Sequence, residues 1–170
     1  VVVRAVIAAE DRRFNRHWGV DFYGVTRAIY RFVFMERVEG ASTIEAQLWR
    51  TVSGRRDISI SRKLKEMIGA FIISRLRGKE DIVNAYLNVA YFGFRKNGIR
   101  FAAERLGIDL DNPSVIDACN LAARLKRPSS RPLEDPSNGM LRRRVDWILS
   151  LIGNEGGSSA RNGAGITSMQ

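Results

Sequence analysis

The chain is poor in several of the residues that most often carry chemistry. It holds one cysteine and one histidine in 170 residues. A lone Cys119 excludes an internal disulfide and any zinc set built on thiolates, and a lone His17 excludes histidine-rich metal sites. Cys119 sits in the apolar stretch "VIDACNLAARL", where a buried small residue is a better reading than a nucleophile. Only four prolines are present, and three of them fall in "RPSSRPLEDPSNG", which marks an irregular connection. Long apolar runs are missing. The longest, "MIGAFII" at 67–73, is too short to span a bilayer. No secretory leader is visible and the chain opens with Val, so we expect a domain of a longer protein whose remainder would carry any anchor.

What is present fits one globular domain: 45% hydrophobic and 27% charged residues, with length enough for a substantial core. The formal net charge of +10 predicts a polyanionic partner, whether nucleic acid, an anionic membrane surface or a phosphorylated substrate.

Apolar spacing is helical nearly everywhere. It predicts helices over 1–16, 21–38 and about 43–52, the last capped by Ser42 or Thr43. A further helix follows Ser61 and closes at Gly78, and another runs from Lys79 to Gly93. Two more cover "DNPSVIDACNLAARLK" and "MLRRRVDWILSLI". From Gly153 the chain is rich in Gly and Ser without apolar period, which predicts disorder over 153–170 behind an all-α domain at 1–152.

Three polar clusters stand out. In "AAEDRRFNRHWG", Glu10, Phe14 and His17 fall at i, i+4 and i+7, one stripe of a helix if the helix continues. In "EGASTIEAQLWR", Ser42, Thr43, Gln47 and Arg50 gather near a helix N-terminus, which suits an anionic, oxygen-rich ligand or simply caps the helix. In "SRKLKEM", Arg62 and Glu66 are i, i+4 with Lys63 beside them, by default a solvated ion pair. Two carboxylates on separate helices, each flanked by cations, are also the minimal kit for chemistry at a sugar anomeric centre.

"EDRRFNRHWG", "GASTIEAQL", "RKLKE", "KEDIVNAYLNVAYFG" and "RRRVDWIL" occur in this order. Together they resemble the five motifs of the peptidoglycan glycosyltransferase family, the lysozyme-like, two-lobed transglycosylase domain of class A penicillin-binding proteins and monofunctional cell-wall polymerases. The resemblance implies that lipid II and the growing glycan are the substrates, on the outer face of a bacterial inner membrane. It implies Glu10 as general base and Glu66 as the second catalytic carboxylate, positioning cations or assisting the departing diphosphate. Asp11, Phe14, His17, Ser42, Thr43, Gln47, Arg50, Arg62 and Lys63 match the substrate-binding positions. Tyr30, Phe32, Phe34 and Met35 fall in the region that dips into the membrane, although each could equally pack in the core. No cofactor is required, no metal ligand set is spelled out, and Mg²⁺ or Mn²⁺ beside the diphosphate stays open. Cell-wall synthesis proteins are expected partners; nucleic acid is not.

The pattern also breaks. Glu45 and Ala46 replace the threonine and glutamine usual in the second motif. Thr51, Ile58 and Asn84 stand where asparagine, arginine and glutamate are usual, with Arg55 and Arg56 near enough to substitute for the arginine. Two rival readings therefore stand beside the polymerase: a degenerate domain that binds lipid II or partner proteins, and a lytic muramidase on the same fold.

Overall fold

The computed structural model describes residues 1–35, 42–54, 59–93, 97–128 and 139–161, with side chains to 153. Eight helices follow one another: α1 (Val2–Glu10), α2 (Phe22–Met35), α3 (Ile44–Ser53), α4 (Ile60–Leu76), α5 (Lys79–Val89), α6 (Ile99–Leu106), α7 (Val115–Lys126) and α8 (Gly139–Arg161). Among the described residues the only β pairing is an isolated Tyr91–Asn97 bridge. The protein is all-α, as its apolar spacing predicts, and lysozyme-like, as the family resemblance implies.

Local signals explain most boundaries. Thr43 caps α3 by accepting from the Ala46 N–H, so of the two candidate caps the threonine serves. Ser59 rather than Ser61 caps α4, because its hydroxyl accepts from the Arg62 N–H. Gly78 does not close α4; it starts α5. Asn112-Pro113 precedes a full capping box at Ser114 and Asp117. Helix α5 stops at Val89, short of Gly93, and α6 is a short helix that the spacing did not predict. Helix α8 runs on to Arg161, past the expected end of order at 152. Residues 162–170, Gly40, Arg37, the loop arginines Arg55 and Arg56, Ile58 and most of the proline-rich connection lie outside the described residues.

The first helix departs most from expectation. It ends at Glu10, and a 3₁₀ turn over Phe14–Arg16 follows a non-helical Asp11. Glu10, Phe14 and His17 therefore do not share a helical stripe. Capping competes with elongation here: the Asp11 carboxylate is taken up by tertiary partners that a continued helix would carry it away from.

Helix α1 packs on α7 and α8, and α3 lies between α4 and α5. The core joins Val6, Phe14, Ile44, Ile82, Phe92, Leu121 and Ile148. Cys119 is fully buried within it, and burial pushes its thiol up from the ordinary value, the opposite of what a nucleophile needs. Among the described residues, helix α2 has no extensive packing against another helix. Of its residues only Gly24 is buried, so Tyr30, Phe32, Phe34 and Met35 are exposed. Among the described residues no helix is long and apolar enough to cross a membrane.

Candidate active site

Three side-chain groups meet around α3. The first surrounds Glu10, at the last turn of α1. Its Oε1 accepts from Arg144 Nη2 of α8 at 2.9 Å, and its Oε2 accepts from Gln47 Nε2 of α3 at 3.2 Å. Gln47 in turn accepts at Oε1 from the Tyr86 hydroxyl of α5 at 2.9 Å. Four helices thus converge on one carboxylate whose side chain is 8% exposed. Burial and the charge of Glu10 push the Tyr86 phenol well above its ordinary value, against the opposing pull of Arg50. The phenol therefore keeps its proton and remains a donor.

The second group braces the first. Both oxygens of Asp11 contact His17 Nε2, at 3.1 and 3.0 Å, and Oδ2 also accepts from the Ile44 N–H at 3.2 Å. Thr43 donates its hydroxyl to the Gly19 carbonyl at 2.6 Å. Gly19 has φ +83°, and a Cβ there would run into the backbone of Ala70, so glycine is required for the loop to lie against α4. Asp11, His17, Thr43 and Phe14 are all buried. They tie the loop after α1 to the start of α3, and His17 also reaches the wall of the groove between the start of α2 and α4.

Glu45 joins this second group. It is fully buried, and Lys79 Nζ, which also lies 4.3 Å from the Phe14 ring centroid, donates to its Oε1 at 2.5 Å. Asp11, His17 and Glu45 offer ligand atoms within 4.8 Å of one another. The Lys79 ammonium already supplies Glu45 with its countercharge, and His17 Nε2 is taken by Asp11. Within the same set, His17 Nδ1 and Glu45 Oε2 are buried without a hydrogen-bond partner among the described residues.

The third group is Glu66 with its two cations. Glu66 is 2% exposed, ion-paired with Arg62 and 3.7 Å from Lys63 Nζ. Lys63 also donates to Ser42 Oγ at 3.1 Å, so Ser42 links this group to the start of α3. A carboxylate so enclosed orients cations; Arg62 and Lys63, at 18% and 43% side-chain exposure, are what a ligand would meet. Arg50 follows Gln47 by one turn of α3 and is half-buried. Beside these groups, an open groove of about 710 Å³ separates the start of α2 from α4. Its walls include Trp18, Phe22, Leu64 and Phe71, with Arg13 and Arg16 among its polar lining.

Of the residues singled out in the sequence, the structure pairs Glu10 with Gln47, and Glu66 with Arg62 and Lys63, the lysine also reaching Ser42. Sequence reading missed Arg144 and Tyr86. A signal existed for both. Leu141, Val145 and Ile148 are the buried stripe of α8, and Arg144 lies on that stripe, so among Arg142, Arg143 and Arg144 it alone is not exposed. Tyr86 lies among Ile82, Val83 and Leu87 on the buried face of α5, where a phenol hydroxyl needs a partner.

The transglycosylase family model matches residues 1–152. Among curated relatives, penicillin-binding protein 1A of Rickettsia conorii is 31% identical over 91% of the chain. Penicillin-binding protein 1F of Bacillus subtilis is 36% identical over 94%, and penicillin-binding protein 1A of Neisseria flavescens is 36% identical over 89%. The chain spans 20%, 22% and 19% of their respective lengths. On its helical architecture, its carboxylate and cation groups and this match over nearly all of its described length, the chain belongs to the transglycosylase family.

Proposed function

We propose that this domain is a peptidoglycan glycosyltransferase that polymerises lipid II into β-1,4 glycan, with Glu10 as general base. The observation that carries the reading is the pairing of two differently dressed carboxylates. Glu10 is held by two donors in a site that cations border, and Glu66 is enclosed and devoted to Arg62 and Lys63.

The acceptor's 4-hydroxyl gives its proton to Glu10 as its oxygen bonds to the anomeric carbon of the donor. The bond from that carbon to the diphosphate breaks, and its electron pair leaves with the polyprenyl diphosphate. One displacement inverts the α-linked donor to a β linkage. A diphosphate leaves without protonation if its charge is met, and in this reading Arg50, Arg62 and Lys63 meet it.

The lipid part of the substrate suits the exposed apolar face of α2, which we assign to contact with the outer leaflet of the inner membrane. Tyr30 and Phe34 stack there with ring centroids 4.9 Å apart. Each phenylalanine that leaves water contributes about 1.5–3 kcal/mol. A Phe32→Ser, Phe34→Ser variant is therefore expected to bind anionic phospholipid vesicles on the order of 100-fold more weakly in a flotation assay. Unchanged partitioning would remove α2 from the membrane.

Polymerisation of labelled lipid II in detergent tests the function. Glycan chains support it. Soluble fragments from purified sacculi without chain synthesis would make the protein a muramidase. Lipid II binding with neither product would make it a precursor-binding domain, a reading that Ala46 and Asn84 favour.

A further inference from the structure

We infer that Tyr86 is a positioning residue for the base: its hydroxyl fixes which end of the Gln47 amide faces Glu10. The inference rests on the assignment of Glu10 above, and it reaches a residue outside the three polar clusters of the sequence.

A glutamine side chain offers an oxygen at one corner and an NH₂ at the other, and a half-turn exchanges them. Facing an ionised carboxylate, only the NH₂ is favourable, because the carboxylate accepts and cannot donate. Nothing in Gln47 itself selects that orientation. Glu10 selects it from one side and Tyr86 holds it from the other, by donating to Oε1 at 2.9 Å. An amide flip would place the Gln47 oxygen against Glu10 Oε2, now 3.2 Å from Nε2, and leave NH₂ against the phenol. Burial and the nearby Glu10 charge both oppose ionisation of Tyr86, so its role as donor is maintained.

The consequence for the base is geometric and chemical. Arg144 holds Oε1, and the locked Gln47 holds Oε2, so both oxygens are approached by donors on fixed helices. Neither partner can accept a proton from a protonated Glu10 while the lock stands. The base is thereby aimed and biased to pass its proton on after each transfer. Tyr86 is 3% exposed on the packed face of α5, so it reaches this result through Gln47 and not through substrate.

Tyr86→Phe removes the hydroxyl and keeps the ring in its packing. In lipid II polymerisation, kcat is expected to fall about ten-fold with KM unchanged, the loss of one ordered hydrogen bond. Gln47→Ala in the Tyr86→Phe background is expected to cost little more than Gln47→Ala alone, since the phenylalanine variant has already freed the amide. Equal kcat in Tyr86→Phe and wild type, or fully additive losses, would overturn the inference. A readout without turnover keeps it separate from the proposed activity. The Gln47 side-chain NH₂ pair is expected as two sharp, distinct NMR resonances in wild type and as exchange-broadened signals in Tyr86→Phe. Sharp, unshifted Gln47 signals in Tyr86→Phe would refute the lock even if no glycan were made, whereas an inactive wild type with a broadened variant would refute only the activity.

Discussion

Glu10→Gln is expected to lower lipid II polymerisation by about 10²–10⁴-fold, the range for removal of a general base. The fold persists, because the substitution changes one atom type in a side chain whose neighbours are set by four separate helices. The replacing amide has one oxygen to offer where the carboxylate had two. It can accept from Arg144 or from Gln47 but not from both, so one donor loses its partner. That costs about 1 kcal/mol, visible as a small drop in the midpoint of thermal unfolding by circular dichroism. A variant that made glycan chains at the wild-type rate would remove Glu10 from the chemistry. A variant that was inactive because it had unfolded would show itself in the same melt.

Arg62→Ala carries the second large effect, and here the tertiary structure changes what the sequence predicts. At i, i+4 the Arg62–Glu66 pair reads as solvated, which predicts a loss of ligand affinity with little loss of stability. Glu66 is instead enclosed at 3% side-chain exposure, with Lys63 as its remaining cation at 3.7 Å. Truncating Arg62 leaves a buried carboxylate short of its main partner, and breaking such a pair is destabilising. Turnover is expected to fall about 10²-fold or more, as for loss of one preorganised charge-stabilising group. The midpoint of unfolding falls as well. Arg62→Ala with Glu66→Ala separates the two: removing the stranded carboxylate restores stability and leaves turnover low. Recovery of turnover in the double variant would mean that Arg62 acts only by packing, and would take it out of the diphosphate site.

The motif residues that became legible in the sequence are those whose spacing along one helix sets their encounter. Arg62, Lys63 and Glu66 lie within two turns of α4, so their meeting follows from helical geometry alone. Gln47 and Arg50 share a face of α3 for the same reason. The 1–16 helix failed because local apolar spacing cannot weigh a side chain's distant partners. Asp11 is held by His17 six residues on and by the Ile44 N–H thirty-three residues on, and those contacts end α1 at Glu10. The family resemblance assigned Phe14, His17, Asp11 and Thr43 to the substrate. In the structure they are buried and hold the loop that follows Glu10 against the helix that carries Gln47.

Glu45 illustrates the same limit from the other side. As a departure from the family pattern it counted against the site, since a buried carboxylate in place of threonine is costly when unpaired. Lys79, thirty-four residues later at the start of α5, pairs with it, and no local reading links the two positions. The departure is absorbed by the packing of α3 against α5.

The sequence by itself determined the class of the fold and the order of the motifs, and it singled out Glu10 and Glu66 as the candidate carboxylates. Helical period and residue type are properties of short stretches. Only the tertiary structure decided that Arg144 joins Gln47 as a donor to Glu10 and that Tyr86 stands behind Gln47, because both come from helices far along the chain. Their approach is set by the burial of the stripes Leu141–Val145–Ile148 and Ile82–Val83–Tyr86–Leu87, on which they ride. It also decided that Glu66 is enclosed and that α2 presents its aromatic residues outward, since burial depends on what the rest of the chain packs against and what it leaves uncovered.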